Sequence, residues 1–305
     1  MKKFILLTGL VFGAMQALAQ QEYSFTNYFE VNSFYNPAAT GASDVHGVTG
    51  LFRRQWVGFE GTPLTGGVVY DTRLDKYRMG LGGYVFTDRV GATFMTNVAV
   101  NYSYSLKLND DLQLAFGLDG GVDIYSTDYD RLVYWQDDQM FDNQRAVHTV
   151  PRAGVGTHFY GENFYVGISV PRLLNFNNTS ALSISADNLP SVVSNYYVTA
   201  GYTFDAGDQF KIQTNLLGKY TKNVIPQGDI NVMCTYQDMI GLGVGYKSLG
   251  FATTYIQYQY EDVVKIGYAF DFSLTEMARY STGTHEIMIQ YILPKKQNKA
   301  KSSMQ

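Results

Sequence analysis

The residue types that could carry chemistry in this chain are its four histidines and one neighbouring glutamate. His46, His148, His158 and His285 do not stand at the spacing of a zinc site, and the sequence contains no HExxH run or nucleophile elbow. His285 is followed directly by Glu286, and these two groups could form a general-base pair. Adjacent residues of a β-strand point to opposite faces, however, so within a strand the pair cannot act on one substrate. We therefore predict that the protein is not an enzyme and holds no metal.

Two further patterns could bind a ligand, and both are weak. Trp135, Asp137, Asp138 and Asp142 form an acidic stretch that could bind a cation, although a solvated loop is the more common origin of such a run. The Gly-x-Gly step at Gly80–Gly82 lies inside a predicted strand and precedes no helix, which excludes a dinucleotide site. The formal net charge is −4 without a basic block, so nucleic acid is not an expected partner. No cofactor is predicted.

The elements that must position these residues are β-strands, because apolar and polar residues alternate with a period of two along most of the chain. In 98–107, valine, tyrosine and leucine occupy the even positions, and small or polar residues occupy most of the odd ones. The same division occurs in 112–124 and in 264–271. The aromatic fraction is 15%, with 25 Tyr and 19 Phe beside 30 Gly. Each strand therefore has one apolar face and one face of small and charged residues.

Alternation alone fits either a soluble sandwich, with its apolar faces in a dry core, or an outer-membrane barrel, with its apolar faces in lipid. Strands of about ten residues, aromatic residues near the strand ends and an N-terminal secretory signal favour the barrel. An even strand number and an alternation of short and long connections place both termini in the periplasm. We predict an all-β fold, a transmembrane antiparallel outer-membrane β-barrel of about 14 strands. The predicted strands are 45–54, 64–72, 78–87, 93–107, 112–125, 150–160, 163–172, 193–204, 209–220, 228–236, 239–247, 252–260, 263–271 and 284–292.

The chain divides into four segments. Residues 1–19 have the basic start, apolar stretch and small-residue ending of a cleaved signal peptide, which predicts export and a location in the cell outer membrane. Residues 20–44 lack the alternation and are predicted to be an N-terminal periplasmic or plug segment. Residues 45–293 form the predicted barrel, and residues 294–305 are predicted to be a basic periplasmic tail.

Charged residues within the strands are expected to face the lumen, because a lysine that faces lipid at the bilayer midplane costs about 2–4 kcal/mol. The lysines concerned are Lys211, Lys219 and Lys265. A second set of charged residues, near the first hairpin, is also predicted to face inward: Arg53, Arg54 and Glu60. Together with Trp56 they are predicted to anchor a plug in the lumen, or alternatively to contact a secreted protein.

Five groups of residues occur in a fixed order along the chain. They are Asn36–Gly41 (Asn-Pro-Ala-Ala-Thr-Gly), Arg54–Pro63 (beginning Arg-Gln-Trp-Val-Gly-Phe), Gly80–Gly82 with Asp88 and Gly91, Phe164–Leu174, and Ser281–Met288 (containing Gly-Thr-His-Glu). In this order they resemble the PorP/SprF family of outer-membrane proteins of the type IX secretion system in Bacteroidetes. The family usually has Tyr-Ala-Gly after Asn-Pro-Ala and Ser before His-Glu, where this chain has Ala39–Gly41 and Thr284.

The resemblance implies a non-enzymatic outer-membrane component that supports secretion, or surface attachment, of proteins with C-terminal sorting domains, and that in some members is linked to gliding motility. Its implied partners are outer-membrane lipid, periplasmic ring and lipoprotein subunits, and the secreted cargo. The polar inward face supports a channel for small or hydrophobic solutes as the alternative, and a lipid-modifying enzyme dependent on His285 is a third hypothesis. The candidates for structural or partner-contact roles are Asn36, Pro37, Gly41, Arg54, Gln55, Trp56, Gly58, Phe59, Gly61, Asp88, Gly91, Pro171, Gly283, His285 and Glu286.

Overall fold

The computed structural model describes residues 24–43, 46–128, 145–174 and 193–293. Fourteen antiparallel β-strands close into one barrel, in which successive strands pair with each other and β14 pairs with β1. The predicted closed, antiparallel barrel of 14 strands is therefore confirmed. The strands are β1 (Gly47–Val57), β2 (Leu64–Leu74), β3 (Met79–Val90), β4 (Thr93–Lys107), β5 (Gln113–Asp128), β6 (Arg145–Tyr160), β7 (Phe164–Val170), β8 (Asn195–Asp205), β9 (Phe210–Thr221), β10 (Gln227–Tyr236), β11 (Ile240–Lys247), β12 (Phe251–Tyr260), β13 (Val264–Ser273) and β14 (Gly283–Ile292).

Each observed strand corresponds to one predicted strand, and the bounds differ by up to five residues, as at the start of β6. The sequence predicts that β6 starts at residue 150, but its pairing with β5 continues as far as Asp128 and Arg145. The sequence also extends β7 to residue 172, whereas the strand ends at Val170. The next residue, Pro171, has no N–H to donate to a β-ladder, which accounts for the earlier end.

Burial alternates along the strands as the period of two predicts. In β4, Ala99, Asn101 and Ser103 are buried on the lumen side, whereas Val100 on the outer face is 69% exposed. Exposed apolar residues of this kind continue around the barrel and form an outer apolar band, which is the surface that lipid covers in a membrane barrel.

The three lysines that were predicted to face the lumen, Lys211, Lys219 and Lys265, do so. Lys219 is buried on the inner side of β9, next to the exposed Tyr220 on the outer side. Lys211 holds an inward register position at the start of the same strand and lines a cavity there. The ammonium of Lys265 lies 3.1 Å from a carboxylate oxygen of Glu30 inside the barrel.

The two ends of the barrel differ in their connections. β1 begins and β14 finishes at the same end of the barrel, where Gly47 pairs with Ile292. We call this the terminal end, and we call the opposite end of the barrel the loop end. The six connections at the terminal end are all short, such as 161–163 and 261–263. Across the described residues, no helix combines the length and the apolar character needed to cross a membrane.

Residues 24–43 lie inside the barrel, and we call them the plug segment. The segment folds into a 3-10 helix (Tyr28–Val31), a one-turn α-helix (Asn32–Tyr35) and a second 3-10 turn (Pro37–Ala39). Most of its side chains are buried against the inner wall. The sequence leaves a periplasmic arm and a lumen insert open for this region, and the structure places residues 24–43 in the lumen.

Several predictions concern residues outside the described ranges. They are the signal peptide at 1–19, the acidic stretch with its four named residues between 135 and 142, and the basic tail at 294–305. Residues 129–144 and 175–192, which make up most of the two longest connections, also lie outside the described ranges.

Candidate functional site

The plug segment is attached to the barrel wall by a buried cluster of ion pairs in the half of the lumen nearer the loop end. Arg53 Nη2 lies 2.9 Å from Asp271 Oδ2, and Arg53 Nη1 lies 3.0 Å from Glu286 Oε2. Lys247 Nζ adds a third ion pair with Asp271, at 3.0 Å. Two cations and two carboxylates balance in formal charge, which is the arrangement that a buried ionic cluster requires.

Two residues of the plug segment complete this cluster. Glu286 accepts hydrogen bonds from the backbone N–H groups of Thr26 (2.7 Å) and Asn27 (2.8 Å), and from the Asn27 side chain (2.9 Å). The Thr26 hydroxyl accepts from Lys247 Nζ at 2.8 Å and also from Arg53. The wall carboxylate and the wall cations thus bind the same short stretch of the plug segment, which links its position to the charge of the cluster.

The Asn-Pro-Ala motif forms a second attachment in the half of the lumen nearer the terminal end. The Asn36 side chain accepts from the Ala38 N–H at 3.0 Å, which caps the 3-10 turn, and donates to the Thr157 carbonyl at 2.9 Å. Pro37 is buried against β5, where a Cβ added to Gly117 would lie only 2.1 Å from the Ala38 nitrogen. The motif therefore fits against β5 because the wall residue at the point of contact, Gly117, has no side chain.

The plug segment leaves the lumen along β2 and β3. Gly41 has a positive φ of 70°, and its N–H donates to Asp71 Oδ1 at 2.6 Å. The Thr40 carbonyl accepts from Ser103 Oγ at 2.6 Å and lies 2.0 Å from where a Cβ on Gly80 would be. The first glycine of the Gly-x-Gly step is therefore required for close approach of the plug segment, and not for a nucleotide.

Aromatic packing holds the middle of the plug segment. The Phe34 ring contacts Tyr84 and Phe86 of β3 at centroid distances of 4.9 and 5.1 Å, and Tyr35 contacts Tyr197 of β8 at 5.4 Å. Edge contacts of this kind contribute about 0.5–1.5 kcal/mol each beyond the burial of apolar area. The plug segment thus packs against two separate parts of the barrel wall, β3 and β8.

A second buried ionic cluster joins β5, β6 and the segment after β7. Arg152 Nη2 lies 3.1 Å from Asp119 Oδ2 and donates to the carbonyl of Pro171 at 3.0 Å. Arg172 Nη2 lies 2.7 Å from Asp123 Oδ2. These contacts place the motif residue Pro171 at the point where the chain turns into the lumen.

The structure corrects two orientations predicted near the first hairpin. Arg53 faces the lumen, but Arg54 is exposed on the outer face because successive strand residues alternate. Glu60 is exposed in the turn between β1 and β2, where no strand directs it inward. Trp56 occupies a bulge with a left-handed backbone (φ 51°), and its backbone N–H donates to Thr284 Oγ1 at 3.1 Å. Arg53 is the residue of this set that hydrogen-bonds to the plug segment.

Other motif residues build the rim of the loop end. The Gly91 N–H donates to the Gly61 carbonyl at 3.0 Å and so joins two neighbouring hairpin turns, and both glycines have positive φ. The Gln55 N–H donates to the Pro63 carbonyl at 3.0 Å and closes the first of these turns, which contains Gly58. These residues shape the turns rather than a pocket.

The remaining rim residues make separate contacts. The Phe59 ring packs near Tyr280 at a centroid distance of 6.3 Å, next to the strand that begins at Gly283. Asp88 points into the lumen and accepts from the Thr65 hydroxyl at 2.6 Å. The sequence motifs are therefore distributed between the rim and the plug contacts, and the structure does not bring them together into one pocket.

His285 and Glu286 lie on opposite sides of the wall. His285 Nδ1 is 2.7 Å from the hydroxyl of the outward-facing Tyr268, and its ring packs on Phe270 at 4.8 Å. Glu286 is 0% exposed and binds the plug segment. The two residues cannot work as a general-base pair. Among the described residues, no three His, Cys, Asp or Glu side chains converge as metal ligands would.

A polar cavity of about 270 Å³ remains at the terminal end, beside the plug segment. Its wall includes Lys211, Gln213, Gln257 and Lys265, with Glu30 of the plug segment at one side. Glu30 accepts from Gln257 and from Lys265, both at 3.1 Å. The plug segment therefore forms part of the cavity wall.

Fold and lumen together define an integral outer-membrane β-barrel whose interior is occupied by its own N-terminal segment. The sequence profile of the type IX secretion system membrane protein PorP/SprF family matches residues 17–291. The chain belongs to this family, and it is a membrane component of the type IX secretion class located in the outer membrane. No functionally curated protein matches the chain in sequence.

Solved structures of other outer-membrane barrels resemble the chain in fold. The CymD monoaromatic hydrocarbon channel is 13% identical with a TM-score of 0.51, and the match covers 92% of this chain and 96% of CymD. The Ralstonia pickettii toluene transporter TbuX is 11% identical with a TM-score of 0.49, and the shares are 87% and 94%. The Acinetobacter baumannii protein Omp33 is 11% identical with a TM-score of 0.48, and the shares are 83% and 100%. At such identities the similarity concerns the fold alone.

Proposed function

We propose that the protein is a non-enzymatic docking component of the type IX secretion system. It supports secretion, surface attachment, or both, of proteins with C-terminal sorting domains, and in gliding cells it contributes to motility. The observation that carries this proposal is the occupied lumen, in which Glu286 and Arg53 bind the plug segment through Thr26. A barrel that is filled from within does its work on its outer surfaces.

The proposed orientation has the terminal end in the periplasm. It is supported by the even strand number, because β1 begins and β14 ends at one end, and by the short connections at that end, as in bacterial outer-membrane barrels. The long connections would then lie at the cell surface, where cargo attaches. The predicted signal peptide belongs to this proposal as the export signal.

The terminal end has a charge pattern that suits a basic partner. Its six turns carry eight exposed acidic residues and two basic residues, Lys76 and Arg78, so the turns have a formal charge of −6 (2 minus 8). The acidic residues are Asp75, Asp110, Asp111, Glu162, Asp208, Asp238, Glu261 and Asp262. The Lys107 ammonium donates to Asp110 at 2.7 Å, which lowers the pKa of that carboxyl. We call these turns the acidic rim and propose that it contacts periplasmic ring or lipoprotein subunits.

Deletion of the gene tests this proposal. In a strain with no second gene of the family, a reporter fused to a C-terminal sorting domain should accumulate in the periplasm, and plasmid-borne wild-type protein should restore its secretion. A reporter with a signal peptide but no sorting domain serves as the control and stays periplasmic in every strain. Normal secretion of the sorting-domain reporter in the deletion strain would contradict the proposal.

A second candidate function is a channel for small or hydrophobic solutes. The polar cavity of about 270 Å³ at the terminal end favours it, because this cavity gives one side of the lumen room that the plug segment does not fill. A channel of this kind requires the plug segment to move, since its Glu30 pairs with Lys265 beside the cavity. Conductance measurements separate the two functions.

A further inference from the structure

Three cationic or imidazole side chains stand in one row on the outer face of the barrel near the loop end. Arg54 of β1 pairs in register with His285 of β14 on one side and with Leu64 of β2 on the other. Leu64 in turn pairs with Arg89 of β3. The row therefore crosses four adjacent strands and includes the seam between β1 and β14, with the two arginines two strands apart.

The strand alternation fixes the outward direction of this row. The sequence neighbours Arg53, Asp88 and Glu286 are buried on the lumen side, so the residue beside each of them occupies the outer face. Arg54 and Arg89 are exposed and His285 is half-buried. Every other lysine, arginine or histidine among the described strand side chains holds a lumen-side register position. Among the strand side chains that the structure describes, the outward-facing cations are thus confined to β1, β3 and β14.

No carboxylate of the described residues lies within ion-pair distance of either guanidinium of the row. Arg89 lies over the ring of Phe94, 5.5 Å from its centroid, and its Nε is 3.5 Å from the Gly91 carbonyl. His285 contacts the hydroxyl of Tyr268 through Nδ1. The two arginines consequently present guanidinium groups on a membrane surface with no ion-pair partner among the carboxylates that the structure describes.

Apolar residues flank the row on both sides along the barrel axis. Toward the middle of the wall lie Phe52 and Val85, and beyond the row toward the loop end lie Phe59 and Tyr280 in the adjoining turns, all of them exposed. The row therefore lies within the outer part of the apolar band. An arginine on a lipid face costs about 2–4 kcal/mol at the midplane but only about 0–1 kcal/mol near the interface, where headgroup phosphates are available.

We propose that Arg54, Arg89 and His285 form a lipid-binding site for the phosphate groups of an outer-leaflet glycolipid of the lipid A type. Guanidinium groups bind phosphate oxygens through two parallel hydrogen bonds, and strands that are two apart in a sheet place their Cα atoms about 10 Å from each other. The guanidinium groups of Arg54 and Arg89 can therefore bind two phosphate groups, or two sides of one headgroup. Phe52 and Val85 contact the acyl chains. The choice of the outer leaflet rests on the proposed orientation, whereas the recognition of phosphate does not.

Native mass spectrometry of the detergent-solubilised full-length protein tests the site. The probes are diphosphoryl lipid A, lipid A with its phosphates removed, and phosphatidylglycerol. The test variant is Arg54→Gln/Arg89→Gln, and the matched control is Lys76→Gln/Arg78→Gln, which removes two exposed charges from a turn at the other end of the barrel. A heat-dependent gel shift establishes that each variant is folded before binding is measured.

The wild type and the control should bind diphosphoryl lipid A equally, and the test variant should bind it at least about tenfold more weakly, as expected for the loss of charge-assisted hydrogen bonds. The site would be overturned if the folded test variant bound diphosphoryl lipid A as tightly as the wild type does. It would also be overturned if the wild type bound dephosphorylated lipid A as tightly as diphosphoryl lipid A. Phosphatidylglycerol bound as tightly as lipid A would overturn the assignment to an outer-leaflet glycolipid. Secretion of the sorting-domain reporter is a separate readout, so failure of the lipid site is distinguishable from failure of the docking function.

Discussion

Arg53 and Glu286 are register partners across the seam that closes the barrel, and inside the lumen their side chains form an ion pair with Nη1 and Oε2 3.0 Å apart. The same Glu286 carboxylate accepts hydrogen bonds from the backbone of Thr26 and Asn27. This one pair of residues therefore contributes both to the seam between β1 and β14 and to the retention of the plug segment. Glu286 is the last residue of the Gly-Thr-His-Glu motif, so its contacts with Arg53 and with the plug segment give this motif on β14 a structural role.

Glu286→Gln should weaken both functions of the pair, because it removes a carboxylate that compensates the buried Arg53. Breaking a buried ion pair from one side costs about 3–5 kcal/mol, and we expect the free energy of unfolding to fall by about 3 kcal/mol because Asp271 still pairs with Arg53. Hydrogen exchange of the amides of Thr26 and Asn27 should accelerate. Urea denaturation and hydrogen-exchange mass spectrometry measure the two effects.

The control for this variant is Glu276→Gln, in an exposed 3-10 turn at the loop end. It should leave the unfolding midpoint and the exchange of the plug segment unchanged. Unaltered exchange at Thr26 and Asn27 in Glu286→Gln would show that the carboxylate does not hold the plug segment.

Gly117→Leu should displace the Asn-Pro-Ala motif, because even a Cβ at this position would lie 2.1 Å from the Ala38 nitrogen. Overpacking a filled site costs about 1–3 kcal/mol, so the protein should be less stable and residues 36–41 should exchange faster. Gly120→Leu on the same strand is the matched control, since nothing lies within 4 Å of its added Cβ. If Gly117→Leu and Gly120→Leu were equally stable and residues 36–41 exchanged at the same rate in both, the Asn-Pro-Ala motif would not pack against Gly117.

The faces of the strands were predictable from the sequence, because lipid on one side and the lumen on the other impose a period of two on residue type. Residues 98–107 show this directly, with Val100 outside and Asn101 inside. The partners of the plug segment were not predictable, because Asp271 and Lys247 reach Thr26 only after the barrel has closed. Alternation allows only one of the adjacent Arg53 and Arg54 to face the lumen, so the prediction that both do was wrong for Arg54.

Leu118→Lys tests the assignment of faces. Leu118 is 57% exposed on the outer face of β5, and a lysine on the lipid side costs about 2–4 kcal/mol near the midplane. The variant should fold into membranes with a clearly lower yield, measured by the heat-dependent gel shift. Leu118→Met keeps an apolar side chain and should fold like the wild type. A normal yield of folded Leu118→Lys would contradict the register.

The acidic rim predicts a binding defect that depends on charge. Asp111→Lys/Glu162→Lys reverses two exposed charges on neighbouring turns of the terminal end and should reduce crosslinking to periplasmic secretion subunits in a whole-cell pull-down. The conservative variant Asp111→Asn/Glu162→Gln should show a smaller reduction, and added salt should weaken the wild-type interaction. Identical crosslinking in all three proteins would exclude the rim as a docking surface.

The most direct test of the occupied lumen is the conductance of the purified wild-type protein in planar lipid bilayers. With residues 24–43 held by Glu286 and by the hydrogen bond from Asn36 to Thr157, we predict no steady open-pore current, and more frequent openings in Glu286→Gln than in Glu276→Gln. A stable, continuously open pore in the wild type would contradict the account and would favour a channel over a docking component.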